Sequence, residues 1–237
     1  MTKLSVNINK IATIRNARGG NIPDLLHAAK SIEEFGAEGI TVHPRPDERH
    51  VRYQDVRDLK SVVKTELNVE GYPSEDFLQL VEEVKPAQVT LVPDPPGVLT
   101  SNAGWDTITH VDYLRNIINR LKKGGMRVSV FLNPDPSLIP SAKATGTDRI
   151  ELYTEAYASG YLSNREKAIA PYIQTAQAAV EAGLGVNAGH DLNLDNLKYF
   201  QENIPGLLEV SIGHALISDA LYLGLQETVR AYLERLK

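Results

Sequence analysis

What most constrains this chain is the regular placement of polar residues at the ends of short apolar runs. Such runs alternate with helix-length segments about eight times, and nearly every run closes on an ionisable or amide side chain. The endings read Val6-Asn7-Ile8-Asn9, Thr41-Val42-His43, Asn68-Val69-Glu70, Ile150-Glu151, Asn187-Ala188-Gly189-His190 and Ser211-Ile212-Gly213-His214. Strand–helix alternation argues for parallel βαβ units, and eight of them favour closure into a barrel over a doubly wound open sheet. In a (β/α)8 barrel the carboxyl ends of all strands converge on one mouth, so residues far apart in sequence would line one pocket. Histidines and glutamates around such a mouth are equipment for moving protons, which points to an enzyme.

The 237 residues suit one barrel, and no composition shift or linker marks a second domain. The expected organisation is therefore a single α/β TIM-barrel domain over residues 1–237. Strands are expected at residues 4–8, 39–42, 67–69, 88–92, 127–132, 149–152, 184–187 and 208–212. A polar loop carrying Arg15, Arg18, Gly19 and Gly20 should follow the first strand, with a helix opened by Pro23-Asp24 and closed before Gly36. Ser74 is a good N-cap for the third helix. Two long loops, 93–104 and 153–163, are candidates for a lid, a helix should fill 164–182, and one final helix should run from 215 to 236.

Formal net charge is −5, which argues against a general affinity for nucleic acid or an anionic membrane. The absence of cysteine excludes disulfides, zinc-thiolate sites and a cysteine nucleophile. No apolar stretch approaches the ~20 residues of a membrane span. The first strand begins almost at Met1, so a cytoplasmic protein without a leader is the expectation.

Two regions read as anion sites. Residues 43–52 hold three arginines and two histidines in an acidic chain, and guanidinium forks grip phosphate well. Arg49 and Arg52 read as ordinary solvated charges paired with Asp47 and Glu48, whereas Arg45, two residues past a strand end, reads as functional. The second region is Gly213-His214, where the last strand turns into a helix whose free N–H groups favour an anion, with Gly189-His190-Asp191 next to it. Two anion sites on one mouth suggest two phosphorylated substrates. His43, Glu70, Glu151 and His190 are the acid–base candidates: a partly desolvated carboxyl can titrate near neutrality, and histidine does so unaided. Zinc chemistry through His43, Glu70, His190 and His214 lacks any H-x-H or H-E-x-x-H spacing, and Lys10 is a poorly placed Schiff-base lysine.

The segments Val6–Ile8, Ile11–Thr13, Arg15–Gly19, Gly36–His43, Asp47–His50, Val186–His190 and Ile212–Ala215 resemble those of the pyridoxine 5'-phosphate synthase family. The resemblance implies condensation of 3-amino-2-oxopropyl phosphate with 1-deoxy-D-xylulose 5-phosphate, without metal or cofactor. It implies Glu70 as a proton acceptor, His43 as a second acid–base group, His190 as a proton donor, and Glu151 as a stabiliser of developing positive charge. Asn7, Arg18, Gly213 and His214 would hold the aminoketone phosphate, and Arg45, His50 and Thr100 the sugar phosphate. A homo-octamer is implied, with Arg18 reaching a neighbour's site. Three positions depart from the family pattern. Asn9-Lys10 replaces Asp-His on the sugar-phosphate side, Asp191 replaces a glycine, and Gly71 replaces a larger residue. Another phosphosugar isomerase or aldolase barrel, and a silent phosphometabolite-binding barrel, remain the alternatives.

Overall fold

The computed structural model, in which residues 1–94 and 103–237 are described, contains a closed barrel of eight parallel strands. They are β1 (Lys3–Asn7), β2 (Gly39–Val42), β3 (Glu66–Gly71), β4 (Gln88–Leu91), β5 (Arg127–Leu132), β6 (Arg149–Leu152), β7 (Gly185–Gly189) and β8 (Leu207–Ile212). Neighbours pair in sequence order, and β8 returns to β1 with Lys3 opposite Glu209. Around them lie α1 (Asn9–Arg18), α2 (Leu25–Glu34), α3 (Tyr53–Val62), α4 (Glu75–Val84), α5 (Val111–Lys123), α6 (Ile139–Ala144), α7 (Glu155–Glu181), α8 (Leu197–Asn203), α9 (His214–Leu223) and α10 (Leu225–Arg235). The expected (β/α)8 architecture is the observed one. Among the described residues no helix is long and apolar enough to cross a membrane.

Period-two alternation along the strands builds two different interiors. One face of the strands is apolar and buried, apart from Leu208 at the start of β8 (Leu4 and Val6, Ile40 and Val42, Val128 and Val130), and belongs to a continuous core with Ala29, Ile32, Val56, Leu59 and Leu114 of the helices. The other face points into the barrel and is polar, where bulky aliphatic layers are usual. A belt of hydrogen bonds crosses four strands: Ser5 and Thr41 hydroxyls 2.7 Å apart, Asn68 to Thr41 at 3.3 Å, and Thr90 to Asn68 at 3.1 Å. Below the belt, Lys3 and Arg127 both grip Glu66, and Arg149 donates to Asn187 and Glu209. Above it stand the strand-end residues of the mouth.

Three segments differ from expectation. The polar loop after the first strand is the helix α1. Asn7 Oδ1 accepts the Asn9 N–H at its start, and Gly19, at φ 78°, ends it in the left-handed region. Only Ile11, Ala12 and Arg15 are buried on it, so its apolar stripe is too narrow to read. The expected loop 153–163 is mostly helix, because α7 starts at Glu155 and bends at Asn164, where the backbone is extended. Asn164 Oδ1 caps the second half by accepting the Lys167 N–H at 2.9 Å, in line with the helix start expected there. The final helix breaks at Gly224 into α9 and α10. Ser74 caps α4 as expected, accepting the Phe77 N–H.

Candidate active site at the barrel mouth

Two imidazole–carboxyl pairs face each other across the mouth, four strands apart. His43 follows β2 and its Nδ1 lies 3.9 Å from Glu70 Oε2 on β3. His190 follows β7 and its Nδ1 lies 3.7 Å from Glu151 Oε1 on β6. Both glutamates are only 1% exposed. Asn7 Nδ2 reaches Glu70 Oε2 at 3.5 Å, while Glu70 Oε1, both Glu151 oxygens and His190 Nδ1 lack a hydrogen-bond partner among the described residues.

Burial then decides the charge state. It pushes the Glu70 carboxyl up to about 8, aided by the negative charge of Glu209 and opposed by Arg45. It raises Glu151 well above the carboxylate range, with Glu70 and Glu209 adding to the effect. Desolvation, and then the positive charge of Arg45, hold His43 well below the usual imidazole value. His190 falls to about 4, again chiefly through burial. At neutral pH each pair is thus a carboxylic acid beside a neutral imidazole. Each holds one proton to give and one lone pair to receive, with no net charge to neutralise first.

Backbone strain and close packing hold the pairs in place. His190 sits at φ 59°, a left-handed conformation that costs a non-glycine residue roughly 1–3 kcal/mol. Its N–H donates to the Ser211 carbonyl at 3.0 Å, and its ring packs on Phe131 with centroids 5.1 Å apart. A side chain on Gly189 would collide with that same carbonyl, so β7 must carry glycine there. Across the mouth, Asn9 Oδ1 accepts the His43 N–H at 3.0 Å. Asn9 lines the mouth, yet this bond makes it a support for His43.

A cavity of about 790 Å³ joins the two pairs to the basic loops. Its lining includes Asn7, Asn9, Lys10, His43, Arg45, His50, Glu70, His190, Asp191, Gly213 and His214, all singled out from the sequence, and Glu151 lies buried beside His190. Arg45 is buried, with Nη2 3.4 Å from Asp94 Oδ2. Gly213 lets β8 pass close to Asn7: an added side chain would press on Asn7 Cβ and its carbonyl. Arg18 is exposed at the end of α1 and does not line the cavity. Thr100 lies outside the described residues.

The departures acquire physical reasons. The Asp191 N–H is directed to the Gly189 carbonyl and Thr154 Oγ1, and its carboxyl is pushed up by burial and by Glu155, which lessens its negative charge at the mouth. Gly71 is required because the Phe77 ring of α4 fills the space a side chain would take. Arg15, read as a loop charge, is instead buried against Asp55. Tyr153 and Glu155 of the lining were hidden in the segment expected to be loop. The signal available for them was position, directly after the strand that carries Glu151.

Fold and site together define a class: (β/α)8-barrel enzymes with imidazole–carboxyl pairs at the strand ends and arginine-bearing loops around the mouth. The fold is shared with phosphoribosylanthranilate isomerase from Thermotoga maritima (TM-score 0.62, 14% identity, covering 100% of this chain and 98% of that one). It is shared too with a solved 4-hydroxy-2-oxoglutarate aldolase (TM-score 0.64, 18% identity, 99% and 94% covered). The pyridoxal phosphate biosynthesis protein PdxJ family matches residues 4–237, and the chain belongs to that family. Relatives named pyridoxine 5'-phosphate synthase include one from Flavobacterium johnsoniae, 62% identical over 237 residues, and one from Cytophaga hutchinsonii, 63% identical over 237 residues. Both alignments cover the whole of each chain.

Proposed function

We propose that the protein is a pyridoxine 5'-phosphate synthase, joining 3-amino-2-oxopropyl phosphate to 1-deoxy-D-xylulose 5-phosphate with release of inorganic phosphate and water. The observation that carries the chemistry is the presence of two uncharged imidazole–carboxyl pairs on opposite sides of one cavity. The reaction forms an imine from the substrate's own amine and the sugar ketone. Proton removal, phosphate elimination, addition of water and an aldol-type ring closure follow. Each step needs a proton taken at one place and delivered at another, and the two pairs offer two such places.

In this reading Glu70 and His43 activate the condensing groups, with the neutral imidazole as first acceptor and the carboxyl relaying the proton. His190 delivers a proton to the departing hydroxyl, and Glu151, the acid at its side, replaces it. Once a cationic imine occupies the mouth, Glu151 is the carboxylate that balances its charge. Asn7, Gly213 and His214 bind the aminoketone phosphate at the start of α9, where free N–H groups and the helix dipole favour an anion. Arg45 and His50 bind the sugar phosphate, with Lys10 a further cation on that side and Thr100 a further ligand. Asp191 stands at the aminoketone-phosphate end. Neither metal nor cofactor takes part.

Self-association completes the site, to an octamer as the family resemblance implies, in a cytoplasmic protein. Support comes from the exposed apolar residues Ile14 and Ile22 near Arg18, and from Leu221, Tyr222 and Leu223 at the end of α9, which contacts α1. Arg18 then serves a neighbouring protomer's aminoketone-phosphate site. Sedimentation of wild type and Arg18→Ala, with turnover of each, tests this: the variant should keep its mass and lose affinity for the aminoketone phosphate. A monomeric wild type with full activity would refute it.

The deciding experiment gives purified protein both substrates in EDTA and follows the pyridine absorbance. Product from the pair and from neither alone, abolished by Glu70→Gln, is the expected result. Turnover of one substrate alone would favour an isomerase or aldolase, and tight binding without product a silent barrel.

A further inference from the structure

Arg15 is 2% exposed in the middle of α1, and all three of its guanidinium nitrogens donate hydrogen bonds. Nη1 and Nη2 form a bidentate pair with Asp55 at 2.7 and 2.8 Å, and Nε donates to Asn16 Oδ1 at 3.1 Å. Nη2 also donates to the main-chain carbonyl of His50 at 3.2 Å. Asn16 Nδ2 donates to that same carbonyl at 2.8 Å. Asp55, on the first turn of α3, accepts the Arg52 N–H at 2.7 Å as well. Three elements that meet at the mouth (α1, the loop after β2, and α3) are therefore tied together at one peptide group, the one that follows His50.

The imidazole of His50 is constrained in the same place. The N–H of that peptide belongs to Val51, and it donates to His50 Nδ1 at 2.9 Å. A ring nitrogen that accepts carries no proton, so the ring proton sits on Nε2. Burial, and then Arg45 and Arg49, keep the ring neutral by lowering its pKa to about 4. His50 is thus a single-tautomer donor that lines the mouth cavity.

We propose that Arg15, together with Asn16, is a positioning residue for sugar-phosphate recognition: it clamps the His50–Val51 peptide so that the imidazole presents Nε2–H to the phosphorylated sugar. This rests on the assignment of His50 to the sugar phosphate made above. A purely architectural bridge would need only the Arg15–Asp55 pair. Two separate side chains converging on the His50 carbonyl aim the clamp at the ligand-bearing residue.

Steady-state kinetics of the full chain, with each substrate varied in turn, tests this for Asn16→Ala, Arg15→Lys, His50→Ala and the two doubles with His50→Ala. Asn16 is half-buried and alanine favours the helix, so that variant folds even if Arg15→Lys does not. Loss of one donor to the His50 carbonyl should raise KM for the sugar phosphate about tenfold, with kcat and the other KM within about twofold. In the His50→Ala background the same substitutions should add almost nothing, since the cycle removes what the clamp acts upon. Equal rises in both KM values, or a full effect persisting without His50, would overturn the clamp and leave the His50 assignment standing. So would silent Asn16→Ala and Arg15→Lys variants beside a weakened His50→Ala. A His50→Ala enzyme with both KM values unchanged would remove the assignment and the clamp together.

Discussion

Glu66 and Glu70 lie on the same strand and the same inner face of the barrel, four residues apart, yet they are held in opposite states. Glu66, at the floor, is gripped by Lys3 at 2.7 Å and by Arg127, and these bonds outweigh its burial and keep it below the usual carboxylate range. Glu70, at the mouth, has Asn7 Nδ2 at 3.5 Å and the neutral His43 imidazole at 3.9 Å but no cation bonded to it, and burial carries it up to about 8. Glu209 is intermediate: burial raises it while Arg149, 3.3 Å away, pulls it down. The lesson is that the barrel keeps its mouth carboxyls protonated by burying them and withholding counter-ions from them. The floor spends its guanidinium groups on structure, and the mouth keeps protons that can move.

The comparison breaks most visibly if a mouth carboxyl is made permanently neutral. Glu70→Gln should cost about 10²–10⁴ in kcat, the usual worth of one general acid–base group. Its thermal unfolding should match wild type at the acid end and occur no earlier at neutral pH, where the unfolded wild-type carboxyl ionises while the native one, titrating at about 8, does not. A variant that unfolds early would mean that Glu70 carries structural charge. The floor should respond in the reverse sense. Arg149→Met strands Glu209 in the interior, and breaking such a buried pair costs about 3–5 kcal/mol. Denaturant unfolding of that variant, compared with Glu70→Gln, measures the contrast directly. Equal stabilities would erase it.

Smaller effects, spread over pH, sharpen the same point. Folded Glu70 keeps its proton up to about 8, whereas the unfolded chain releases it at the ordinary carboxylate value. Between those two values the native state binds more protons. Its contribution is therefore complete at the acid end of the window and is lost as pH rises through about 8. His190 works the other way: its folded value of about 4 lies below the ordinary 6.5, so stability is lost as pH falls across that interval. The melting temperature of Glu70→Gln should match wild type at the acid end and fall less steeply than wild type between the ordinary carboxylate value and about 8, above which the two curves run parallel. Parallel curves throughout would show that Glu70 is not the buried acid described here.

Much of this was legible in the sequence, for identifiable reasons. Strand ends are visible because an apolar run stops at a polar residue, and a parallel barrel gathers all such ends, so His43, Glu70, Glu151 and His190 could be named together. The polar inner layer was equally written, in Ser5 and Asn7, Thr41 and His43, Asn68 and Glu70. It is masked by the apolar residues that alternate with it, since both faces of these strands are buried and only chemistry tells them apart. Arg15 is legible as a charge and illegible as a clamp, because its partners Asp55 and the His50 carbonyl lie 40 and 35 residues away. The left-handed backbone of His190 has no sequence marker, as glycine or asparagine would normally signal it.

Gly71 gives the smallest and most local test of how the mouth carboxyl is held. It follows Glu70 directly, and Phe77, from the first turn of α4, fills the space beside it. Gly71→Ala forces that ring aside in a packed region, an overpacking that costs about 1–3 kcal/mol. The strand can yield only by shifting Glu70, so kcat should fall along with stability. Phe77→Leu, which frees the space, should recover both when combined with Gly71→Ala, while alone it leaves a void and a modest loss of stability. Recovery of stability without recovery of kcat would separate the two, and would show that the position of Glu70 is set by its strand pairing with Thr90 and not by the aromatic ring packed behind its neighbour.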